Sequence, residues 1–200
     1  MTTMKIGSVN KLPVLGTNGY PLQDGAVYGP IHSRRFGFSL GINPLPVTYK
    51  FCDFDCVYCQ YGWTPRPGNK VPKTGEKLKR APELLAEIEQ SFEALRRCQT
   101  RVNVMTIAGN GEPTLHPQFL DFTKGLLRLR DRYYPKVPVG ILSDSSQCYR
   151  PEIKEALEVL DERYMKLDAG DSKTVQAVNK PTGAFDFKRM VDALGRLRDL

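Results

Sequence analysis

Three thiols stand within eight residues, at Cys52, Cys56 and Cys59, in the spacing C-x3-C-x2-C. Thiolates are soft donors that favour zinc or iron–sulfur clusters, and one compact loop can bring three of them to a single centre. A closed structural zinc site needs a fourth ligand. The other candidates, Cys98, Cys148, His32 and His116, stand at no finger-like spacing. A [4Fe–4S] cluster held by three cysteines leaves one iron for a ligand that is not protein. Clustered thiols in a chain with an odd total of five cysteines point to metal or redox chemistry before disulfides. Cys98 and Cys148 stand alone and read as small buried or half-buried residues.

Further polar groups gather where apolar runs end. Gly109-Asn110-Gly111-Glu112-Pro113 follows VNVMTIA, Ser143-Asp144-Ser145-Ser146 follows VPVGIL, and Asp168-Ala169-Gly170-Asp171 follows YMKL. Hydroxyls and carboxylates in such places bind ligands, and they also make caps and turns. Ser143 and Asp168, nearest the strands, are the stronger ligand candidates. His116, four residues after Glu112, is read as a structural histidine at a helix start, with proton donation as the lesser reading.

The elements that must carry these loops alternate. Residues 1–37 are rich in Gly and Pro and read as an irregular N-terminal segment with short strands at most. Phe38 to Asn43 is the first good strand. A long loop with the cysteines follows, and then a helix starting near Pro82 with Leu85, Ile88, Phe92 and Leu95 on one face. Val102 to Ala108 is apolar enough for a strand buried on both faces. Helix Gln118–Arg132, strand Val137–Leu142, helix Pro151–Leu160 and strand Tyr164–Leu167 follow. Asp186 caps a last helix that carries Phe187, Met190, Val191, Leu194 and Leu197. Serial strand–loop–helix units imply a parallel sheet with right-handed crossovers, whose C-terminal edge collects the polar loops. The class is α/β, with an N-terminal segment 1–37 and a core 38–200.

CDFDCVYC resembles the CxxxCxxC signature of the radical S-adenosylmethionine (SAM) superfamily, including the aromatic Tyr58 before the last cysteine. Asn110-Gly111-Glu112 is similar to that family's Gly-Gly-Glu motif, with Asn where Gly is usual; Asn tolerates left-handed backbone, so the turn survives. The resemblance implies a partial, open TIM-type barrel of about four parallel βα units where the family core has six, a shortfall of roughly 60–80 residues. It implies a [4Fe–4S] cluster on Cys52, Cys56 and Cys59. It also implies SAM held with the help of Tyr58, Gly109, Asn110, Gly111, Glu112, Ser143 and Asp168. The implied activity is reductive cleavage of SAM to a 5′-deoxyadenosyl radical. The catalytic residues, the substrate and the oligomeric state are left open. The segment from Tyr28 to Pro46, with His32, Ser33, Arg34, Arg35, Gly37, Gly41 and Asn43, resembles the wyosine-synthase-like subgroup of tRNA-modifying enzymes, which keeps RNA in view. Arg34 and Arg35 read as a solvated basic pair, and their place just before the first strand keeps a substrate-anion role open. Lys166 leaves its strand in a direction the sequence does not set. The alternative is an iron–sulfur or electron-transfer protein that does not cleave SAM and needs no Asn-Gly-Glu loop.

The composition agrees with a folded chain. Two hundred residues with 40% hydrophobic and 26% charged side chains suit a globular domain, and no apolar run reaches the length of a membrane span. With no signal-like N-terminus, the expected location is the cytoplasm. The excess of 29 basic over 22 acidic residues, +7, suits an acidic or nucleic-acid partner. It is concentrated from Arg66 to Arg80, where Arg66, Lys70, Lys73, Lys77, Lys79 and Arg80 face one acid, Glu76. Such a flank beside a cluster can steer a low-potential electron donor of the flavodoxin or ferredoxin type, or hold an RNA backbone; a solvated connector is the plain reading.

Overall fold

The apolar runs of the middle of the chain become neighbouring strands of one sheet. The computed structural model describes residues 12–65 and 78–197. The strands are β1 (Val27–Ser33), β2 (Gly37–Ile42), β3 (Val104–Ile107), β4 (Val139–Ser143) and β5 (Glu162–Met165). They lie side by side in chain order, with β2 to β5 parallel and β1 antiparallel against β2. Helices α1 (Ala81–Arg97), α2 (Phe119–Tyr133) and α3 (Pro151–Glu158) make the crossovers. After β5 come α4 (Ser172–Val178) and α5 (Phe187–Leu197). Among the described residues β1 and β5 are free edges, so the sheet is an open arc of a TIM-type barrel, as expected. No described helix is long and apolar enough to cross a membrane.

Two stretches differ from the sequence reading. Val27–Ser33, inside the stretch read as irregular, is a seven-residue strand. Gly29-Pro30 interrupts its alternation, and its pairing shifts register between Tyr28 and Ile31. The stretch between Leu167 and Phe185 contains α4, whose first turn Asp171 caps through Thr174 N–H at 2.9 Å.

Register decides what each face carries. Leu40, Ile42, Met105, Ile107, Val139 and Ile141 face the helices and are fully buried. α1 answers with Leu84, Ile88, Phe92 and Leu95, and α2 with Phe119, Phe122 and Leu126. Each such side chain contributes roughly 1.5–3 kcal/mol by leaving water. The alternate residues form the inner face, where Gly41, Thr106, Gly140 and Glu162 make one cross-sheet row. Ser39 and Thr106 share a hydroxyl hydrogen bond at 2.8 Å. The Tyr28 ring occupies the space in which a Cβ on Gly41 would fall. Leu142, in mid-sheet, is 44% exposed, which marks the inner face as open.

Candidate metal and cofactor centre

The cysteine loop is laced to three neighbours by its backbone. At its start Phe51 pairs with the loop after β3: its N–H donates to Asn110 O at 2.8 Å, and its carbonyl accepts from Glu112 N–H at 3.0 Å. Gly111 makes this possible, since its φ is 147° and a Cβ would lie 1.8 Å from Phe51 O. Along its middle, Asp55 N–H and Val57 N–H donate to the carbonyls of Lys180 and Val178, and Thr182 N–H donates back to Asp53 O. At its far end the turn at Thr17–Asn18, before β1, holds it. Thr17 N–H donates to Tyr61 O at 3.0 Å, and Asn18 Nδ2 donates to Cys59 O at 3.1 Å.

All three cysteines line one cavity of about 210 Å³. Gly109, Gly111, Glu112, Ser143, Asp144, Lys50, Tyr58 and Lys166 also line it. Each of the three cysteines is half-buried. Four thiolates on one zinc lie on the order of 3.8 Å apart, from tetrahedral geometry with Zn–S bonds of about 2.3 Å. Among the described residues, the group of three ligands whose atoms all lie within 4.8 Å of one another is instead Cys52, Asp53 and Asp144. The three thiol sulfurs therefore do not all lie within 4.8 Å of one another, which is wider than one zinc requires and leaves room for a multi-iron cluster bound by one thiolate per iron. Cys98 is exposed at the end of α1, and Cys148 is buried with its Sγ 3.8 Å from Met190 O; neither lines the cavity.

Glu112 is the buried hub. Its Oε1 accepts from Thr114 N–H at 3.0 Å, Thr114 Oγ1 at 2.5 Å and Ser143 Oγ at 2.9 Å; its Oε2 accepts from Asp144 N–H at 2.7 Å. The carboxylate thus ties the loop after β3 to the end of β4, and Oε2, with one donor against three on Oε1, has the greater remaining acceptor capacity. Burial pushes its pKa up despite those donors. Burial, and then the neighbouring Glu112, push Asp144 up to about 8. Burial, and then Asp144, push Asp53 up to about 6. Burial and Asp144 also raise the Cys52 thiol, whose Sγ lies 3.5 Å from Asp144 Oδ2. Acids crowded this way favour a positively charged occupant.

On the β5 side, Asp168 accepts from Tyr58 Oη, from Asn179 Nδ2 and from Lys166 Nζ, the last at 3.1 Å. Burial works against the charge of Asp168, but the bonds from Tyr58, Asn179 and Lys166 outweigh it and hold the pKa low. Asn179 also donates to Cys56 Sγ at 3.3 Å. Lys166 points into the cavity and sits 4.7 Å above the centre of the Tyr58 ring.

The structure thus gathers Cys52, Cys56, Cys59, Tyr58, Gly109, Gly111, Glu112 and Ser143 on one cavity, with Asp168 bonded to Tyr58 at its margin. Asn110 differs from expectation. The positive φ of the turn falls on Gly111, not on Asn110. The Asn110 amide is fully buried and bonds away from the cavity: Oδ1 accepts from Gln23 N–H at 2.8 Å, and Nδ2 donates to Gln23 O and Pro46 O. The Asn110 side chain thereby pins the segment before β1 at Gln23. Gly109 makes room for Asn43 Oδ1, 2.1 Å from where its Cβ would be. Arg34 and Arg35 sit in the β1–β2 turn, at the N-terminal end of β2 and so at the opposite edge of the sheet from the cysteines. At roughly 3.3 Å per residue, the six-residue β2 puts a cavity-bound anion out of their reach.

His116 is structural. Its Nδ1 accepts from Gln118 N–H at 3.2 Å, so Nε2 carries the proton and donates to Lys79 O at 2.9 Å. Most of the basic segment, 66–77, lies outside the described residues. Of its remainder, Lys79 pairs with Glu87 at 2.6 Å and Arg80 with Glu83 at 2.9 Å. The sequence reading missed Lys50, Asp55 and Asn179. A lone lysine in the aromatic stretch Tyr49-Lys50-Phe51 was the available signal for the first.

Comparison with known proteins gives the family. The Radical SAM superfamily profile matches residues 47–200, and the chain belongs to that superfamily. Its members are enzymes that bind a [4Fe–4S] cluster and SAM. A UPF0026 protein of Helicobacter pylori is 32% identical over 174 residues, 87% of this chain and 52% of the relative. A UPF0026 protein of Methanocaldococcus jannaschii is 31% identical over 86% of this chain and 49% of its own length. The chain thus spans about half the length of these curated relatives. Among solved structures, archaeal TYW1 is similar with a TM-score of 0.45 and 13% identity, over 80% of this chain and 51% of that one.

Proposed function

We propose that this chain binds a [4Fe–4S] cluster through Cys52, Cys56 and Cys59 and cleaves SAM reductively beside it. One observation carries the reading: three thiols, the Gly109–Glu112 edge and the end of β4 line one cavity. When bound, the cluster supplies the electron that breaks a carbon–sulfur bond of SAM and releases methionine and a 5′-deoxyadenosyl radical. The chain's own residues do the rest. Glu112 Oε2 is the acceptor for the SAM ammonium, and the crowded acids Asp144, Asp53 and Glu112 favour a cationic sulfonium. The edges of Gly109 and Gly111 allow close approach of the ligand to backbone. Tyr58, anchored by Asp168 and Lys166, forms the cavity wall toward β5.

An acidic, low-potential flavodoxin or ferredoxin is the proposed electron source. RNA is a second candidate partner, supported by the resemblance of the segment around Tyr28 to Pro46. The deciding experiment is anaerobic reconstitution followed by dithionite and SAM. Formation of 5′-deoxyadenosine, lost in Cys56→Ala, is expected. A brown, iron-loaded protein that yields none with saturating SAM overturns the cleavage reading in favour of electron transfer alone. In the basic segment, glutamine at Lys70, Lys73, Lys77 and Lys79 separates the partners. Slower flavodoxin-driven but unchanged dithionite-driven cleavage marks the donor; weaker RNA binding marks RNA.

A further inference from the structure

Lys50 has an unusual position for a lysine. Its side chain is 2% exposed, beneath the cysteine loop. Nζ donates to Phe54 O at 2.8 Å, to Gly62 O at 2.9 Å and to Asp55 Oδ1 at 3.3 Å. An ammonium has three protons, and all three are used. Asp55, 4% exposed, also accepts from Thr64 N–H at 2.6 Å. Phe54 precedes Cys56 and Gly62 follows Cys59, so one nitrogen closes the base of the loop from both sides. Thr64 Oγ1 completes the closure by donating to Cys52 O at 2.9 Å.

Stability alone does not call for charges here. A buried ion pair only about breaks even against well-packed apolar residues. The location supplies the reason, since Lys50 also lines the cavity that holds the three thiols. Fixed charges and hydrogen bonds around a cluster set its reduction potential, and the groups behind metal ligands set their orientation.

We propose that Lys50 is a positioning residue: paired with Asp55, it holds the loop in its cluster-receiving shape before iron arrives and biases the potential of the cluster. This rests on the cluster reading above. The test compares wild type, Lys50→Met, Asp55→Asn and the double variant. In the iron-free protein, hydrogen exchange is followed at the amides of Cys59 and Gly62, which bond to Cys56 O and Cys59 O. Lys50→Met is expected to speed their exchange on the order of tenfold and to leave β4 protected. In the reconstituted proteins the midpoint potential is read by electron paramagnetic resonance titration. Lys50→Met, which removes a positive charge, shifts it negative; Asp55→Asn, which removes a negative one, shifts it positive; the double variant lies between. Loosened packing does not give opposite signs. A Lys50→Met protein that stays folded but takes up far less iron than wild type also supports positioning. Unchanged exchange with unchanged potentials overturns the proposal, as do shifts of the same sign or loss of protection throughout the iron-free fold. If wild type itself takes up no iron, the cluster reading fails, and the exchange measurement still decides whether Lys50 orders the loop.

Discussion

On its helix-covered face the sheet presents Leu40, Ile42, Met105, Ile107, Val139 and Ile141, each sealed from water. On the other face the same strands present Ser39, Gly41, Thr106, Gly140 and Leu142, small, hydroxylated or open. The first face is made by area removed from water, which is non-directional and tolerant of exchange among apolar residues. The second gains little that way. Its order comes from specific contacts: Ser39 to Thr106, Tyr28 over Gly41, and Glu112 to Ser143 at the C-terminal edge. One face keeps the fold and the other leaves room for a ligand, so substitutions on the two should fail in different ways.

The largest expected effect tests that separation. Cys52→Ala, Cys56→Ala or Cys59→Ala should each abolish iron and the brown chromophore after anaerobic reconstitution, while the melting curve of the iron-free protein changes little. Ile141→Ala should do the reverse, costing about 2–5 kcal/mol of stability while folded protein still takes up iron. Denaturant titrations and iron assays on both variants check this. Stoichiometric zinc without iron in wild type would falsify the cluster.

Gly111→Ala probes the seam between the two regimes. Its Cβ would lie 1.8 Å from Phe51 O, in a backbone region where φ is 147°. Relief requires the cysteine loop to part from the loop after β3. The expected result is a loss of about 1–3 kcal/mol together with poorer iron uptake. Full iron content in a destabilised protein would separate the seam from the centre.

Glu112 gives a smaller, more selective effect. Glu112→Gln keeps the size but turns an acceptor into a donor at the cavity, and should weaken SAM binding well beyond Cys98→Ala. The perturbation of the reduced cluster's paramagnetic resonance by added SAM reads the binding. Equal responses in the two variants count against Glu112 as the ammonium acceptor.

The sequence disclosed what depends on local pattern. Helical spacing of Ile88, Phe92 and Leu95, the apolar run around Val104 and the cysteine spacing were all readable, because each cause lies within a few residues. β1 escaped because Gly29-Pro30 masks its alternation. α4 escaped because it is seven residues long, with Val175 as its buried residue. Asn110 was assigned to a turn, yet its partner Gln23 is 87 residues away, and no local pattern encodes that pairing. Lys50, Asp55 and Asn179 were missed for the same reason, and the direction of Lys166 was left open for it. A side chain's direction at the end of a strand or beneath a loop is set by register and by distant acceptors.

The smallest predicted effect lies in the helix-covered layer, at His116. The ring is buried against Phe122 and bridges the chain before α1 to the start of α2. Burial lowers its pKa, and the bond to Lys79 O offsets this only partly. Protonation at Nδ1 would remove the acceptor for Gln118 N–H and put a charge among apolar rings. The folded pKa thus lies below the ordinary histidine value near 6.5. Below that value the unfolded chain takes up a proton that the folded chain resists. The contribution of His116 to stability is therefore complete above the unfolded pKa and is lost as pH falls toward the folded pKa. Melting temperatures of iron-free protein, taken from about pH 7.5 down to about pH 5, should fall more steeply in wild type than in His116→Gln, which has no proton to gain in that range. Parallel curves for the two proteins would show that the ring titrates alike folded and unfolded, and that the helix-covered layer admits charge as readily as the open face.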